Sequence, residues 1–105
     1  MKINSLKVLV TGGASGIGLG LCKKLNHLGA KVIVIDINEI QIINLKEKYT
    51  NIDFYHCDIT DYNSVDSCLE TISNSLGVID VLVNNAGLMI SSPLIDLFNS
   101  KDKRH

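Results

Sequence analysis

The stretch best suited to chemistry is a glycine-rich turn at residues 11–18, which reads Thr-Gly-Gly-Ala-Ser-Gly-Ile-Gly. An apolar run precedes this turn, and a stretch with leucines at helical spacing follows it. A strand, a glycine turn and a helix in this order bind phosphate, because backbone N–H groups and the positive end of the helix dipole face the anion. We expect Gly12 to permit the turn, Gly16 to leave room for phosphates and Gly18 to let the helix lie close to the sheet.

Polar residues follow three later apolar runs. Asp36 ends the run Lys-Val-Ile-Val-Ile-Asp, 20 positions after Gly16. A carboxylate at that place can accept hydrogen bonds from both hydroxyls of a ribose. Asp58 follows the run at 52–57, and the segment Asn-Asn-Ala-Gly follows the run at 79–83. Taken singly, Asp36 could be a helix-capping or solvated residue, and the others could be ordinary turn residues.

Strands and helices that would position these residues alternate along the chain. The pattern predicts strands at 5–11, 31–36, 52–57 and 79–83, and helices at 16–28, 38–49 and 60–76. Asn38 with Gln41 resembles a capping box, Thr60 or Asp61 can cap the third helix, and Gly29 and Gly77 can end helices. This alternation predicts an α/β fold, with a parallel sheet of right-handed strand–helix–strand units.

In these segments the sequence resembles the short-chain dehydrogenase/reductase family. The resemblance covers residues 5–90 and rests on Thr-Gly-x-x-x-Gly-Ile-Gly, the acidic end of the second strand, the Asp after the third and Asn-Asn-Ala-Gly after the fourth. It implies a truncated Rossmann-type parallel sheet of order 3-2-1-4 with helices on both faces, and a glycine turn at the switch point. We expect a cofactor-binding half-domain at 1–90 and a truncated tail at 91–105. Leu-Val-Asn-Asn-Ala-Gly-Leu before Pro-Leu-Ile-Asp-Leu looks most like the retinol and steroid dehydrogenase branch.

The resemblance also implies which residues bind a dinucleotide cofactor. Asp58 and Ile59 would line the adenine pocket, Asn84 would lie beside a ribose, and the next small residues would line the cofactor's path. The full implied set is Gly12, Ser15, Gly16, Ile17, Gly18, Asp36, Asp58, Ile59, Asn84, Ala86 and Gly87.

The cofactor expected from this set is NAD rather than NADP. Relatives that prefer NADP usually carry a basic residue in the glycine turn or just after the second strand. This chain has Ala14, Ser15 and Ile37 at those places. The charge of Asp36 would also repel a 2′-phosphate.

The family's catalytic residues have no counterpart here. An alcohol proton must leave as hydride moves, so the family uses a Tyr as general acid/base with a Lys four residues later. The three tyrosines, Tyr49, Tyr55 and Tyr62, are followed at that distance by Asp53, Ile59 and Asp66. We therefore expect no catalytic residue and no turnover from this chain, which would be the NAD half of an oxidoreductase acting on an alcohol or ketone.

Composition excludes several other functions. The 105 residues carry a formal net charge of −1, which creates no field for nucleic acid or acidic membranes. No apolar run reaches the roughly 18 residues of a membrane span, and the N-terminus does not resemble a signal peptide. Cys22, Cys57 and Cys68 are dispersed and lack metal-ligand spacing, so we expect free thiols, no metal and a cytoplasmic location.

Two alternatives to the enzyme half remain open at this point. The chain could be a stand-alone nucleotide-binding module, provided that the fold survives without later strands. It could instead be an interaction protein, because the fourth strand would present an unpaired edge to an intact relative.

Overall fold

The computed structural model describes residues 3–85, which form a four-stranded parallel sheet flanked by helices. After a short 3₁₀ helix at Ile3–Ser5, the elements are β1 (Lys7–Thr11), α1 (Gly16–His27), β2 (Lys31–Asp36), α2 (Glu39–Lys48), β3 (Ile52–His56), α3 (Tyr62–Leu76) and β4 (Val81–Asn84). The strand order is β3-β2-β1-β4 and every pair is parallel, as predicted. The domain boundary predicted near residue 90, together with Ala86 and Gly87, lies outside the described residues.

Each face of the sheet carries its own hydrophobic cluster, because successive strand side chains point to opposite faces. On one face the strands pack against α1 and α2 through Val8, Val10, Val32, Val34, Cys22, Ile42 and Leu45. On the other face they pack against α3 through Leu9, Ile33, Ile35, Val65, Leu69 and Ile72. The prediction of helices on both faces is confirmed, with the third crossover on the side opposite the first two.

Glycines end two of the three helices, as predicted. Gly29 follows α1 with φ 96°, and Gly77 caps α3 with φ 80°. These left-handed backbone angles strain other residues and cost glycine little. Among residues 3–85, no helix is both long and apolar enough to cross a membrane.

Strand boundaries differ from the prediction at the amino ends of β1 and β4. The Leu6 amide donates to the carbonyl of Ile3 at 3.0 Å, so residues 3–5 coil into a helical turn and β1 starts at Lys7. The Lys7 amide donates at 2.8 Å to the carboxylate of Asp80. The Asp80 side chain thus accepts the hydrogen bond that a backbone carbonyl would accept in a regular strand pair, and β4 starts at Val81, two residues later than predicted.

The capping box predicted for α2 is only half formed. The Asn38 side chain accepts from the Gln41 amide at 3.1 Å, as a cap should. The Asn38 amide, which a capping box gives to the side chain three residues on, donates instead to Asp36 at 2.9 Å. A carboxylate at the end of β2 therefore competes successfully for this donor.

Asp61 is the cap of α3, and its replacement tests how much the cap stabilises the fold. Its side chain accepts from the Asn63 amide at 3.0 Å and from the Ser64 amide at 3.5 Å. Asp61→Ala should lower the free energy of unfolding by about 1 kcal/mol, because these amides lose their acceptor. Urea denaturation measures the change. Asp61→Asn keeps an acceptor oxygen and should recover most of the loss; equal losses for both variants would contradict the capping role.

Candidate functional site

The carboxyl ends of the strands meet at one edge of the sheet. Thr11 at the end of β1 pairs with Ile35 on one side and with Asn84 on the other. Asp36, the last residue of β2, pairs with His56 of β3. This register places the glycine turn, the carboxylate of Asp36 and the asparagine that ends β4 along the same edge.

The first turn of α1 lies directly against the end of β1. A Cβ on Gly18 would collide with the carbonyl oxygen of Gly12 and with the side-chain nitrogen of Asn85. That nitrogen donates to the same Gly12 carbonyl at 3.2 Å. Gly18 therefore allows helix, turn and the segment after β4 to touch, which is the close approach expected of it.

Gly13 is also kept small by its surroundings, although no role was predicted for it. A Cβ there would lie 2.9 Å from the sulfur of Cys22 and 3.0 Å from both methyl carbons of Val34. The turn thus rests on the apolar face formed by α1 and β2. Burial raises the pKa of Cys22 to about 11, so this thiol stays protonated at neutral pH and acts as a packing group.

Thr11 links the two strand ends that flank the turn. Its hydroxyl donates to the side-chain oxygen of Asn84 at 2.9 Å and accepts from the backbone amide of Asn85 at 2.9 Å. Thr11 is completely buried. Leaving a buried hydroxyl or amide without a hydrogen-bond partner is costly in the protein interior. These two bonds therefore fix the path of the backbone after β4.

The first residues of α1 are exposed within the described part of the chain, residues 3–85. Ser15 is the N-cap residue, its side chain makes no capping hydrogen bond, and the first turn holds no acidic residue. Ser15, Gly16 and Ile17 are exposed. A Cβ on Gly16 would meet nothing within 4 Å among the described residues, and its φ of 57° favours glycine. The helix therefore offers amide groups and the positive end of its dipole to an anion.

The carboxylate of Asp36 points at the glycine turn. One oxygen accepts from the amide of Ala14 at 3.1 Å, and the other accepts from the amide of Asn38 at 2.9 Å. Each carboxylate oxygen has two acceptor positions, so both can take a further hydrogen bond. Asp36 therefore organises the turn locally and can also accept bonds from hydroxyl groups of a ligand.

Asp58 and Ile59 form the turn after β3. The hydroxyl of Thr60 donates to Oδ1 of Asp58 at 2.6 Å and its amide donates to the same oxygen at 3.0 Å. These two bonds hold the pKa of Asp58 below its usual value. The amide of Asp58 donates to the hydroxyl of Ser64 at 3.1 Å, which ties the turn to α3. Asp58 and Ile59 are both half-buried, and they lie at the edge of the sheet that carries Asp36.

Comparison with known proteins identifies the family. A family model described as short chain dehydrogenase matches residues 6–104. The chain belongs to the short-chain dehydrogenase family. Members of this family bind a nicotinamide dinucleotide.

Two curated relatives of this chain are named as dehydrogenases of alcohols. A cyclopentanol dehydrogenase from Comamonas testosteroni is 35% identical over 104 residues, which cover 95% of this chain and 42% of the relative. A (+)-borneol dehydrogenase from Salvia officinalis is 34% identical over 104 residues, covering 94% of this chain and 38% of the relative. The chain thus spans well under half the length of these two relatives.

A solved structure shares the fold. The crystal structure of 2-keto-3-deoxy-D-gluconate dehydrogenase from Streptococcus agalactiae superposes with a TM-score of 0.75 at 29% identity. The match covers 90% of this chain and 37% of that protein. It supports the parallel sheet with the order 3-2-1-4.

Thr11 and Asn85 lie in the motifs that the sequence analysis used, but neither was predicted as a site residue, and no role was predicted for Gly13. Thr11 contacts Asn84 and Asn85, more than 70 positions away, so local pattern gives no sign of the contact. Within residues 3–85, no group of three or more His, Cys, Asp or Glu side chains is placed to hold a metal ion.

Two glycines of α1 allow a matched test of the close approach. Gly18→Ala should destabilise the fold by about 1–3 kcal/mol, because its methyl group must displace the backbone carbonyl of Gly12. The methyl group of Gly20→Ala, in the same helix, meets no described residue within 4 Å, and this substitution should stabilise the fold by roughly 0.5–1 kcal/mol through helix propensity. Urea denaturation of both variants measures the difference. Stabilisation by both substitutions would show that α1 does not touch the turn.

Proposed function

We propose that this chain binds NAD along the carboxyl edge of the sheet. The diphosphate would lie at the N-terminus of α1, on amides of Ser15, Gly16 and Ile17, and Asp36 would accept hydrogen bonds from the adenosine ribose. The observation that carries the proposal is the 3.1 Å hydrogen bond between the Asp36 carboxylate and the Ala14 amide. It places the group that would bind the sugar against the turn that would bind the phosphates.

The residues around the turn fit such a ligand. Among residues 3–85 nothing lies within 4 Å of a Cβ placed on Gly16, and the first turn of α1 lacks acidic side chains that would repel phosphate. Asp58 and Ile59 supply a polar and an apolar group at the same edge for the adenine. Asn84 ends the adjacent strand, and it would approach the second ribose. Ala86 and Gly87, predicted to follow the cofactor's path, lie outside the described residues and belong to the proposal through the family pattern.

The preference for NAD over NADP follows from charge. A 2′-phosphate would approach the carboxylate of Asp36, and no basic side chain occupies the nearby positions 14, 15 and 37. Ala14 is completely buried, so its position leaves no room for a long cation. Ile37 is 63% exposed, and a basic residue would fit there. The charge on Asp36 therefore opposes NADP, and none of the positions 14, 15 and 37 supplies a compensating cation.

The whole protein would be an oxidoreductase that transfers hydride between NAD and an alcohol or ketone. The alcohols in the names of two relatives support this substrate class. The sequence contains no Tyr followed four residues later by Lys, so this chain would bind the cofactor without turning over substrate. A cytoplasmic location is expected from the sequence, and the similarity to retinol and steroid dehydrogenases stays a prediction.

Replacing Asp36 tests both the site and the cofactor preference. Asp36→Asn should weaken NAD binding about tenfold, because a neutral amide replaces a charged acceptor for the ribose hydroxyls. It should leave NADP binding unchanged or strengthen it, because the repulsion of the 2′-phosphate is removed. Isothermal titration calorimetry with both cofactors measures the two affinities.

Asp80→Asn is the matched control for that substitution. It removes the same charge at the opposite edge of the sheet, where Asp80 accepts from the Lys7 amide. Its NAD affinity should equal that of the unchanged chain. NAD binding that is insensitive to Asp36→Asn, or a preference of the unchanged chain for NADP, would contradict the proposal.

A second candidate function is association through β4. This strand pairs with β1 on one side only among residues 3–85, and its four residues are half-buried. Such an edge can add a strand from another chain. Light scattering after size exclusion should then show a mass that rises above the monomer with concentration. A constant monomer mass at high concentration would contradict association through this edge.

A further inference from the structure

A histidine lies next to the carboxylate that would bind the ribose. His56 is the last residue of β3, and it pairs with Asp36, the last residue of β2. The backbone amide of Cys57 donates to the carbonyl of Asp36 at 2.9 Å, which holds the two strand ends together. Neighbouring strands lie about 4.8 Å apart, so the imidazole begins within one side-chain length of the carboxylate.

The side chains of Asp36 and His56 point to the same face of the sheet. Val34 and Phe54 precede them by two positions on their strands, and both belong to the cluster that packs against α1 and α2. Because strand side chains alternate between the faces, Asp36 and His56 point to that face as well. The Nδ1 atom of His56 lies 3.9 Å from Oε2 of Glu39, the first residue of α2, which agrees with this direction.

The charged groups that surround His56 are carboxylates. Asp36 faces it from β2, Glu39 from the start of α2, and Asp58 from the turn after β3. Hydrogen bonds from Thr60, together with the positive charge of a protonated His56, hold the pKa of Asp58 below its usual value. His56 is therefore close enough to exchange charge effects with all three carboxylates.

His56 is also the only side chain that can carry a positive charge in the segments 11–18, 36–41 and 56–62, which form the carboxyl edge. The same segments contain four carboxylates, those of Asp36, Glu39, Asp58 and Asp61. The His56 side chain is 49% exposed, so a ligand bound at Asp36 can reach it. Histidine gains or loses its charge between about pH 5 and pH 8.

We propose that His56 is a specificity-determining residue of the cofactor site, whose protonated imidazole weakens the repulsion between the acidic edge and a 2′-phosphate. This role rests on the proposed binding of the adenosine ribose at Asp36. It makes the preference for NAD over NADP dependent on pH.

The direction of the pH dependence follows from the charges. At low pH the imidazole is protonated and offsets part of the negative charge that a 2′-phosphate meets, so the ratio of the NADP Kd to the NAD Kd is smallest there. As the pH rises, the imidazole loses its proton while the carboxylates keep their charge, and this ratio grows. NAD carries a hydroxyl at the 2′ position, so its affinity should depend much less on His56.

Isothermal titration calorimetry of the 105-residue chain with NAD and with NADP, at about pH 5.5 and about pH 8, tests the proposal. The 2′-phosphate itself gains a proton in this range, so the effect of His56 is read from the comparison with His56→Gln, which cannot be protonated. At the lower pH the Kd ratio of His56→Gln should exceed that of the unchanged chain roughly three- to fivefold, as expected for an exposed charge at this distance. At the higher pH the two ratios should agree.

Two further variants control for the charge and for the position of the imidazole. His56→Arg keeps a positive charge at both pH values and should give a low Kd ratio at both. His27→Gln removes an imidazole from the end of α1, away from the carboxyl edge, and should follow the unchanged chain. Because His56 and His27 are both exposed, these replacements leave the core packing as it is.

The outcomes separate this role of His56 from the binding of NAD itself. Equal Kd ratios for the unchanged chain and His56→Gln at the lower pH would overturn the role of His56 and leave NAD binding at Asp36 standing. A difference of the same size at both pH values would also overturn it, because a neutral imidazole would then act as strongly as a charged one. Absence of NAD binding at either pH would overturn both proposals.

Discussion

The parallel register of β1 with its two neighbours is the constraint on which the candidate site depends. It places Thr11 opposite Ile35 on one side and Asn84 on the other. A shift of one residue would turn every strand side chain to the opposite face, so the two hydrophobic clusters enforce this register. The packing of the core therefore determines which polar residues meet at the carboxyl edge.

Hydrogen bonds at that edge convert the register into a defined site. Thr11 ties the exit of β4 to the end of β1, and Asn85 bonds the carbonyl of Gly12, against which α1 packs at Gly18. Asp36 bonds the turn from the other side, through the amide of Ala14. The turn is thus held between neighbouring strands, while the N-terminus of α1 faces outward. A turn held in this way would lose little conformational freedom on binding the anion that we propose for it.

Local sequence pattern predicted the strands, the helices and the position of the glycine turn, whereas the order of the strands was implied by the family resemblance. Apolar runs alternate with helical periodicity, and Gly29 and Gly77 end helices where chain reversal needs left-handed angles. The starts of β1 and β4 were predicted two residues too early, since the bond between the Lys7 amide and the Asp80 carboxylate joins distant parts of the chain. The hydrogen bonds of Thr11 depend in the same way on residues brought together by folding.

The most direct test of a phosphate site at the start of α1 is a nuclear magnetic resonance titration of the ¹⁵N-labelled chain. Backbone amide signals are followed as either ADP or adenosine is added. ADP should shift the amides of Ser15, Gly16 and Ile17 strongly, because its phosphates would bind there. Adenosine should leave them almost unchanged, while it perturbs residues near Asp36 and Asp58. Equal responses of the turn to both ligands, or shifts by ADP confined to other parts of the chain, would contradict a phosphate site at the start of α1.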